Sequence, residues 1–294
     1  MSIKSKLKRM TNILPDKLFL SLEFFRNFGR FPNLKDPKTF NEKMQWLKLH
    51  DRKNEYTQMV DKYEVRGFVA ETIGAEYLIP LVGGPWDSFD EIDFEKLPNQ
   101  FVLKCTHDSG GVIVCRDKNK LDMHATRQLL ENHLKQNYYW NVREWPYKNV
   151  KPRIIAEQYM EDGRDAKGLT DYKFFCFSDK PKMIYVSQGL EDHSTACISF
   201  FDLDGKQMPF QRSDFKAIDG DMTMPENYSE MICLAERLAK AVACPFVRID
   251  LYSIKGRIYF SEITFTPCGG TLPFKPAIWD KKIGAWIHLP TEEK

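Results

Sequence analysis

Alternation of apolar and polar residues is clearest in two neighbouring runs late in the chain. Val247, Ile249 and Leu251 alternate with Arg248, Asp250 and Tyr252, and a second run, 257-RIYFSEITF-265, follows a link containing Lys255-Gly256. A period of two gives each strand one apolar and one polar face, so the pair reads as a β-hairpin. Turn length decides which side chains share a face, because a one-residue slip moves every side chain to the other side. A three-residue loop, Ile254-Lys255-Gly256 with Gly256 left-handed, pairs Ser253 with Arg257 and therefore Arg248 with Glu262. Glu262 then lies diagonal to Asp250 at about 7–8 Å between Cα atoms. A two-residue loop puts the two acids on opposite faces.

Upstream, residues 1 to 60 read as mostly helical. Thr39, followed three residues on by Glu42, makes a capping box that starts 37-PKTFNEKMQWLKLHDR-52, with Phe40, Met44, Leu47 and Trp46 facing inward. A second helix is expected from about 56 to 73, ending at Gly74. The pattern then changes to strands at 77-YLIPLVGG-84, 101-FVLKCT-106, 112-VIVCR-116 and 153-RIIAEQYM-160, with an acidic connection from Pro85 to Pro98 and an amphipathic helix over 121–139. After the polar loop 161-EDGRDAKG-168 comes a hairpin, 171-DYKFFCFSDKPKMIYVSQG-189, and then a strand pair over 197–211 turning at Asp204-Gly205. Helices are expected over 226–242 and 279–287. Hairpins alternating with helices predict an α+β fold with mainly antiparallel sheets.

Composition narrows the class. The 294 residues suffice for one large domain or two modest ones, and 43% apolar with 29% charged residues is ordinary for a globular protein. A net charge of +2 supplies no field for nucleic acid, so no nucleic-acid partner is expected. Seven scattered cysteines with no C-x-x-C pair point to reduced thiols and a cytoplasmic protein. No segment approaches the roughly 20 apolar residues of a membrane span. The basic start, 1-MSIKSKLKRM-10, places Ile3, Leu7, Met10 and Leu14 at helical spacing, which suits packing onto the protein's own body or peripheral contact with a membrane.

The polar face of the late hairpin holds Arg248, Asp250, Glu262 and Thr264. Two carboxylates, a guanidinium and a hydroxyl suit Mg²⁺ with nucleotide phosphates, since Mg²⁺ takes one or two carboxylates plus phosphate oxygens and Arg forks onto the same oxygens. A structural salt bridge is the competing reading. Lys104 sits on a strand whose following loop holds Ser109-Gly110-Gly111, a lysine and glycine-loop pairing suited to phosphate. In 153-RIIAEQYM-160 an apolar strand opens into polar linker at Glu157, where backbone groups become free to meet an adenine edge. Asp171 is placed for a ribose hydroxyl, and Lys173 shares its face. His107 enters the glycine loop as a candidate for γ-phosphate or acceptor contact.

This order of parts resembles the ATP-grasp proteins, specifically the TupA-like branch associated with bacterial surface polysaccharide and teichuronopeptide synthesis. The matching text includes 37-PKTFNEKMQWLKLHDR-52, 61-DKYEVRGFV-69, 76-EYLIPLVGG-84, 98-PNQFVLKCTHDSGG-111, 171-DYKFFCF-177, 248-RIDLY-252 and 260-FSEI-263, nearly the whole chain. The resemblance implies an ATP-grasp fold of two α+β subdomains gripping ATP, a nucleotide-covering one over 61–158 and a metal-binding one over 159–294, behind a helical N-terminal region, 1–60. By that resemblance Lys62, Lys104 and Lys173 serve ATP, and Ser109, Gly110 and Gly111 close over its phosphates. Glu157, Gln158, Tyr159 and Met160 form the adenine hinge, and Asp171 meets the ribose. Arg248 neutralises the transferred phosphate with Lys104 and Lys173, and Asp250 and Glu262 bind Mg²⁺. Thr264 stands where many ATP-grasp ligases carry Asn as a further metal contact, and the helical first 60 residues differ from the pre-domain of many such ligases.

The implied reaction is ATP- and Mg²⁺-dependent joining of a carboxylate to an amine through an acyl phosphate, with a carboxylate-bearing sugar or polysaccharide precursor as acceptor. Such chemistry needs positioning and charge stabilisation but no protein nucleophile. A phosphotransferase acting on a hydroxyl acceptor is the alternative on the same scaffold. A nucleotide-sugar glycosyltransferase is the third reading, in which the hinge, the two lysines and the glycine loop are surplus.

Overall fold

A computed structural model describes residues 12–162, 168–190, 194–220 and 222–290. The basic segment 1–10 and the middle of the polar loop 161–168 lie outside the described residues. Helix α1 (Asp16–Phe28) stops at Gly29, whose left-handed backbone returns an N–H to the Phe25 carbonyl. Helix α2 (Phe40–His50) begins with the expected box, the Thr39 hydroxyl accepting from the Glu42 N–H and the Glu42 carboxylate from the Thr39 N–H. Phe40, Met44, Trp46 and Leu47 are all buried.

The single helix expected over 56–73 is two, α3 (Glu55–Val60) and α4 (Val65–Thr72). Asp61 explains the break, since its carboxylate accepts the N–H groups of Tyr63 and Glu64 and offers the backbone a turn in place of helix. Strand β1 (Leu81–Trp86) starts later than expected and runs on into the segment read as an acidic connection. Next come β2 (Phe101–Cys105), β3 (Val112–Cys115), α5 (Met123–Leu134), α6 (Tyr139–Val142) and β4 (Ile154–Gln158). The chain continues through β5 (Asp171–Phe177), β6 (Lys180–Gln188), β7 (Cys197–Phe201), β8 (Gln211–Arg212), α7 (Tyr228–Val242), β9 (Phe246–Ile254), β10 (Arg257–Thr264), β11 (Phe274–Lys275) and α8 (Ile278–Gly284). The strand pair expected around Asp204-Gly205 shrinks to one bridge, Phe201 to Gln207, and β8 pairs with β11 instead.

These strands form sheets in the orders β1-β4-β2-β3 and β10-β9-β5-β6-β7, with β11-β8 as a small third. Every paired strand is antiparallel to its neighbour, so the α+β expectation holds. One face of the five-stranded sheet buries Phe174, Ile184, Val247 and Ile249 against Met231, Leu234 and Leu238 of α7. Burying each such side chain is worth about 1.5–3 kcal/mol relative to exposure, enough to fix which face points inward. The other face is aromatic at one end, where Phe175, Phe177, Phe200 and Phe246 pack beneath Phe40 of α2 and Ile283 of α8. Its other end is polar. The four-stranded sheet has its own core, with Phe101, Leu103 and Ile154 against Leu130 of α5.

Candidate active site

The late hairpin corrects the sequence reading and explains itself. Its turn has two residues, since Ile254 pairs with Arg257 across Lys255-Gly256, both of which adopt positive φ. That turn alone would separate the acids, but β10 carries one extra residue. Phe260 pairs with Leu251 and Glu262 with Asp250, leaving Ser261 as a bulge. Glu262 therefore stands directly opposite Asp250, not diagonal to it, and Arg248 pairs with Thr264.

Strand β5 completes this face, its Lys173 in register with Asp250 and its Asp171 with Tyr252. The Lys173 Nζ lies 3.0 Å from Asp250 Oδ2 and 3.1 Å from Asp171 Oδ1. Arg248 donates from Nε to Asp250 Oδ1 at 2.7 Å, and from Nη2 to Asp250 Oδ2 and Glu262 Oε1, both at 2.6 Å. The Thr264 hydroxyl donates to Glu262 Oε1 at 3.1 Å. The Asp250 side chain is wholly buried, whereas that of Glu262 is 44% exposed. That exposure is to the enclosed cavity, whose walls partly desolvate Glu262 and favour its protonation, but Arg248, Lys173 and Lys62 outweigh this and hold the carboxyl at about 2. Burial likewise opposes the Lys173 charge, and Asp171 and Asp250 prevail, raising its pKa. Two carboxylates and a hydroxyl fall short of a full coordination cage, and this hard oxygen set suits a cation that completes its shell with phosphate and water.

Across a cavity of about 770 Å³ stands the second wall, from the four-stranded sheet. Lys104 of β2 reaches Glu157 Oε2 of β4 at 2.6 Å, and Arg66 of α4 lies 3.6 Å from the other oxygen. The cavity brings together Lys104, Ser109, Gly110, Glu157, Gln158, Tyr159, Met160, Asp171, Lys173 and Glu262, with Ile79, Val102 and Leu169 as apolar lining. Arg248, Asp250 and Thr264 stand behind Glu262, reached through the hydrogen bonds above.

Several expected residues sit differently. Lys62 bonds the Asp108 carbonyl through Nζ, and it faces Glu262 from a small neighbouring cleft shared with Tyr147. Gly111 does not line the cavity. Its carbonyl accepts from the Cys105 N–H at 2.7 Å, and an added Cβ would come within 2.7 Å of the Cys105 Cβ, so this glycine serves close packing. The strand does not open at Glu157, which is paired with Val102 on one side and Leu81 on the other. Gln158 still donates to the Pro80 carbonyl, and the strand ends there, so open backbone starts at Tyr159 and Met160. His107 is buried, with its Nε2 3.0 Å from the His133 carbonyl, and does not line the cavity.

Sequence reasoning missed Arg66, Tyr252 and Ser261. The period of two through Arg248 and Asp250 extends to Tyr252 and was signal enough to find it. Arg66 has no local signal, because its place depends on α4 packing beside Ile79, whose carbonyl it also holds at 2.9 Å.

No curated protein matches the sequence. Among solved structures, the fold is similar to a D-alanine–D-alanine ligase from Bacillus anthracis complexed with ATP, at 14% identity and a TM-score of 0.41 over 70% of this chain and 55% of that one. It is also similar to a D-alanine–D-alanine ligase from Helicobacter pylori, at 12% identity and a TM-score of 0.43 over 84% of this chain and 65% of the other. A biotin carboxylase–β-γ-ATP complex from Campylobacter jejuni gives 12% identity and a TM-score of 0.43, over 80% and 48%. The chain thus spans about half to two-thirds of the length of these structures. The sequence profile described as TupA-like ATPgrasp matches residues 42–288, and the chain belongs to that family.

Proposed function

We propose that this protein is an ATP- and Mg²⁺-dependent ligase joining a carboxylate to an amine, with a uronic-acid-type sugar or polysaccharide precursor as the acid and an amino acid or similar amine as its partner. One observation carries the reading: Glu262 and Lys173 line the same cavity as Lys104 and the Ser109-Gly110 loop, with Arg248 and Asp250 hydrogen-bonded directly behind them. The family match supports it. In this reading 61–158 and 159–294 are the two subdomains that grip the nucleotide, and the enzyme works in the cytoplasm on an acceptor delivered there.

Asp250, Glu262 and the Thr264 hydroxyl would hold Mg²⁺, which supplies charge neutralisation on the phosphates when bound. Tyr159 and Met160 offer open backbone to the adenine edge, and Asp171 lies beside them for the ribose. Lys104 and the glycine loop orient the phosphates, with Lys62 in support. Arg248 and Lys173 already donate to the carboxylates that flank the transfer point, so their charge is in place as negative charge builds there. The acid's carboxylate oxygen attacks the γ-phosphorus and ADP departs; the amine then displaces phosphate from the acyl carbon and loses its proton to solvent.

The test is product analysis with purified protein. ADP and free phosphate that accumulate only when both an acid and an amine are supplied support the ligase. ADP with the phosphate retained on the acceptor would replace it with a phosphotransferase.

A further inference from the structure

The described residues expose nine large apolar side chains, and five of them fall between residues 13 and 31. Leu18, Leu22 and Phe25 follow one another at i, i+4 and i+7 along α1, 44–47% exposed, so they form a single outward stripe. Phe31 folds back to stack on Phe25 at 4.9 Å, and Ile13 extends the patch beyond the start of the helix. The opposite side of α1 is anchored. Phe19, Leu20 and Phe24 are buried, and Asp16 accepts from Arg52 at 2.7 Å and from the Tyr139 hydroxyl at 2.6 Å. The stripe is thus held outward on a fixed helix.

Charge says what fits it. Residues 1–38 contain nine Lys and Arg against three acids, a net +6, so the rest of the chain carries a net −4. Lys17, Arg26, Arg30, Lys35 and Lys38 are exposed on α1 and the loop after it, with Arg26 paired to Glu23, Arg30 to Glu42 and Lys38 to Asp36. Beside it opens a groove of about 950 Å³ that gathers Lys17, Lys35, Lys38, His50 and His288 against one acid, Asp36. An apolar ridge flanked by cations suits a surface that is apolar inside and anionic outside. A second copy of this face would bring two basic rims together, and three to five side chains are few for a stable dimer.

We propose that α1 and the loop after it form a membrane-docking surface for anionic lipid, with Leu18, Leu22, Phe25 and Phe31 entering the acyl boundary and the lysines of the adjoining groove meeting headgroup phosphates. This surface lies outside the cavity and stands whether or not the ligase reading does.

Co-sedimentation of the full chain with vesicles tests it. The expected result is binding to phosphatidylcholine vesicles containing about a third phosphatidylglycerol, little binding to phosphatidylcholine alone, and release at about 1 M salt. Leu22→Glu with Phe25→Glu, both exposed positions, should cut the bound fraction at least about tenfold. The milder pair Leu18→Gln with Leu22→Gln should give a smaller loss in the same direction, with the melting temperature confirming that both variants fold. Three outcomes overturn the proposal: no binding of the parent to anionic vesicles, undiminished binding by both variants, or a parent dimer that the variants convert to monomer.

Discussion

Glu262 faces Asp250 across the β9–β10 ladder because Ser261 is looped out of it. Deleting Ser261 should leave a regular ladder in which Glu262 still follows Phe260 and still meets Asp250, so ATP turnover should stay within about tenfold of the parent. Inserting one alanine after Ser261 should instead move Glu262 to the apolar face and abolish turnover. The two variants assayed side by side separate register from mere strand length.

The three cations around Glu262 set its acid response. Against partial desolvation by the cavity walls, they hold its pKa at about 2, below the ordinary 4.5. A carboxylate depressed in the folded state adds stability above its ordinary range and loses it as pH falls towards the folded value. Urea unfolding between about pH 5 and pH 2 should therefore show a decline in stability, part of which is missing in Glu262→Gln. The same variant should lose at least about 100-fold in turnover at every pH, since the carboxylate is charged throughout the working range.

Lys104 ties β2 to β4 through Glu157 while also lining the cavity. Its loss should act on chemistry far more than on folding. Lys104→Ala should reduce ATP turnover by at least about 100-fold, with unfolding free energy changed by no more than about 1 kcal/mol, because a partly exposed ion pair contributes little. Turnover at the parent rate would remove Lys104 from the site.

Lys48 of α2 is a second buried charge with its own pH signature. It is buried, donates to the Val142 carbonyl at 2.9 Å and to that of Gly269, and burial lowers it to about 8 despite the pull of Glu144. Above that value the folded protein releases a proton that the unfolded chain keeps until its ordinary 10.5. Stability should consequently rise with pH across this window, by at most about 1.4 kcal/mol per unit. Lys48→Met should flatten that rise in urea titrations at matched ionic strength.

Gly284 of α8 sits against the backbone at the start of α2. A Cβ there would lie 2.5 Å from the Lys38 carbonyl oxygen and 2.5 Å from the Phe40 nitrogen, both backbone atoms that cannot swing away. Gly284→Ala should cost about 1–3 kcal/mol by overpacking, read from the shift in urea midpoint.

Much of this architecture was legible because it depends on neighbours in sequence. The Thr39–Glu42 box, the alternation through β9 and β10 and the glycine loop after β2 are local patterns, and each falls where its residues indicate. What escaped depends on the chain's remote parts or on a count. Asp61 cuts a helix that periodicity alone would continue. The turn at Lys255-Gly256 and the bulge at Ser261 each shift the ladder by one in the same direction, and a shift of two restores the face while moving Glu262 from Arg248 to Asp250, a route that no single feature discloses. Glu157 reads as a strand end, yet β1 on its far side keeps it within the ladder, and its partner Leu81 is remote in sequence.

Asn41, in the first turn of α2, receives its partners from very far along the chain. Its side chain exchanges hydrogen bonds with the Leu272 backbone, 231 positions later, and its N–H waits for Asp280. A helix of this length is marginal in water without packing. On the ribosome, this well-capped segment emerges early and stays without its contacts until the α8 region has cleared the exit tunnel, so translation that stalls shortly before α8 would release a chain whose sheets can pair while its opening helices stay unmoored.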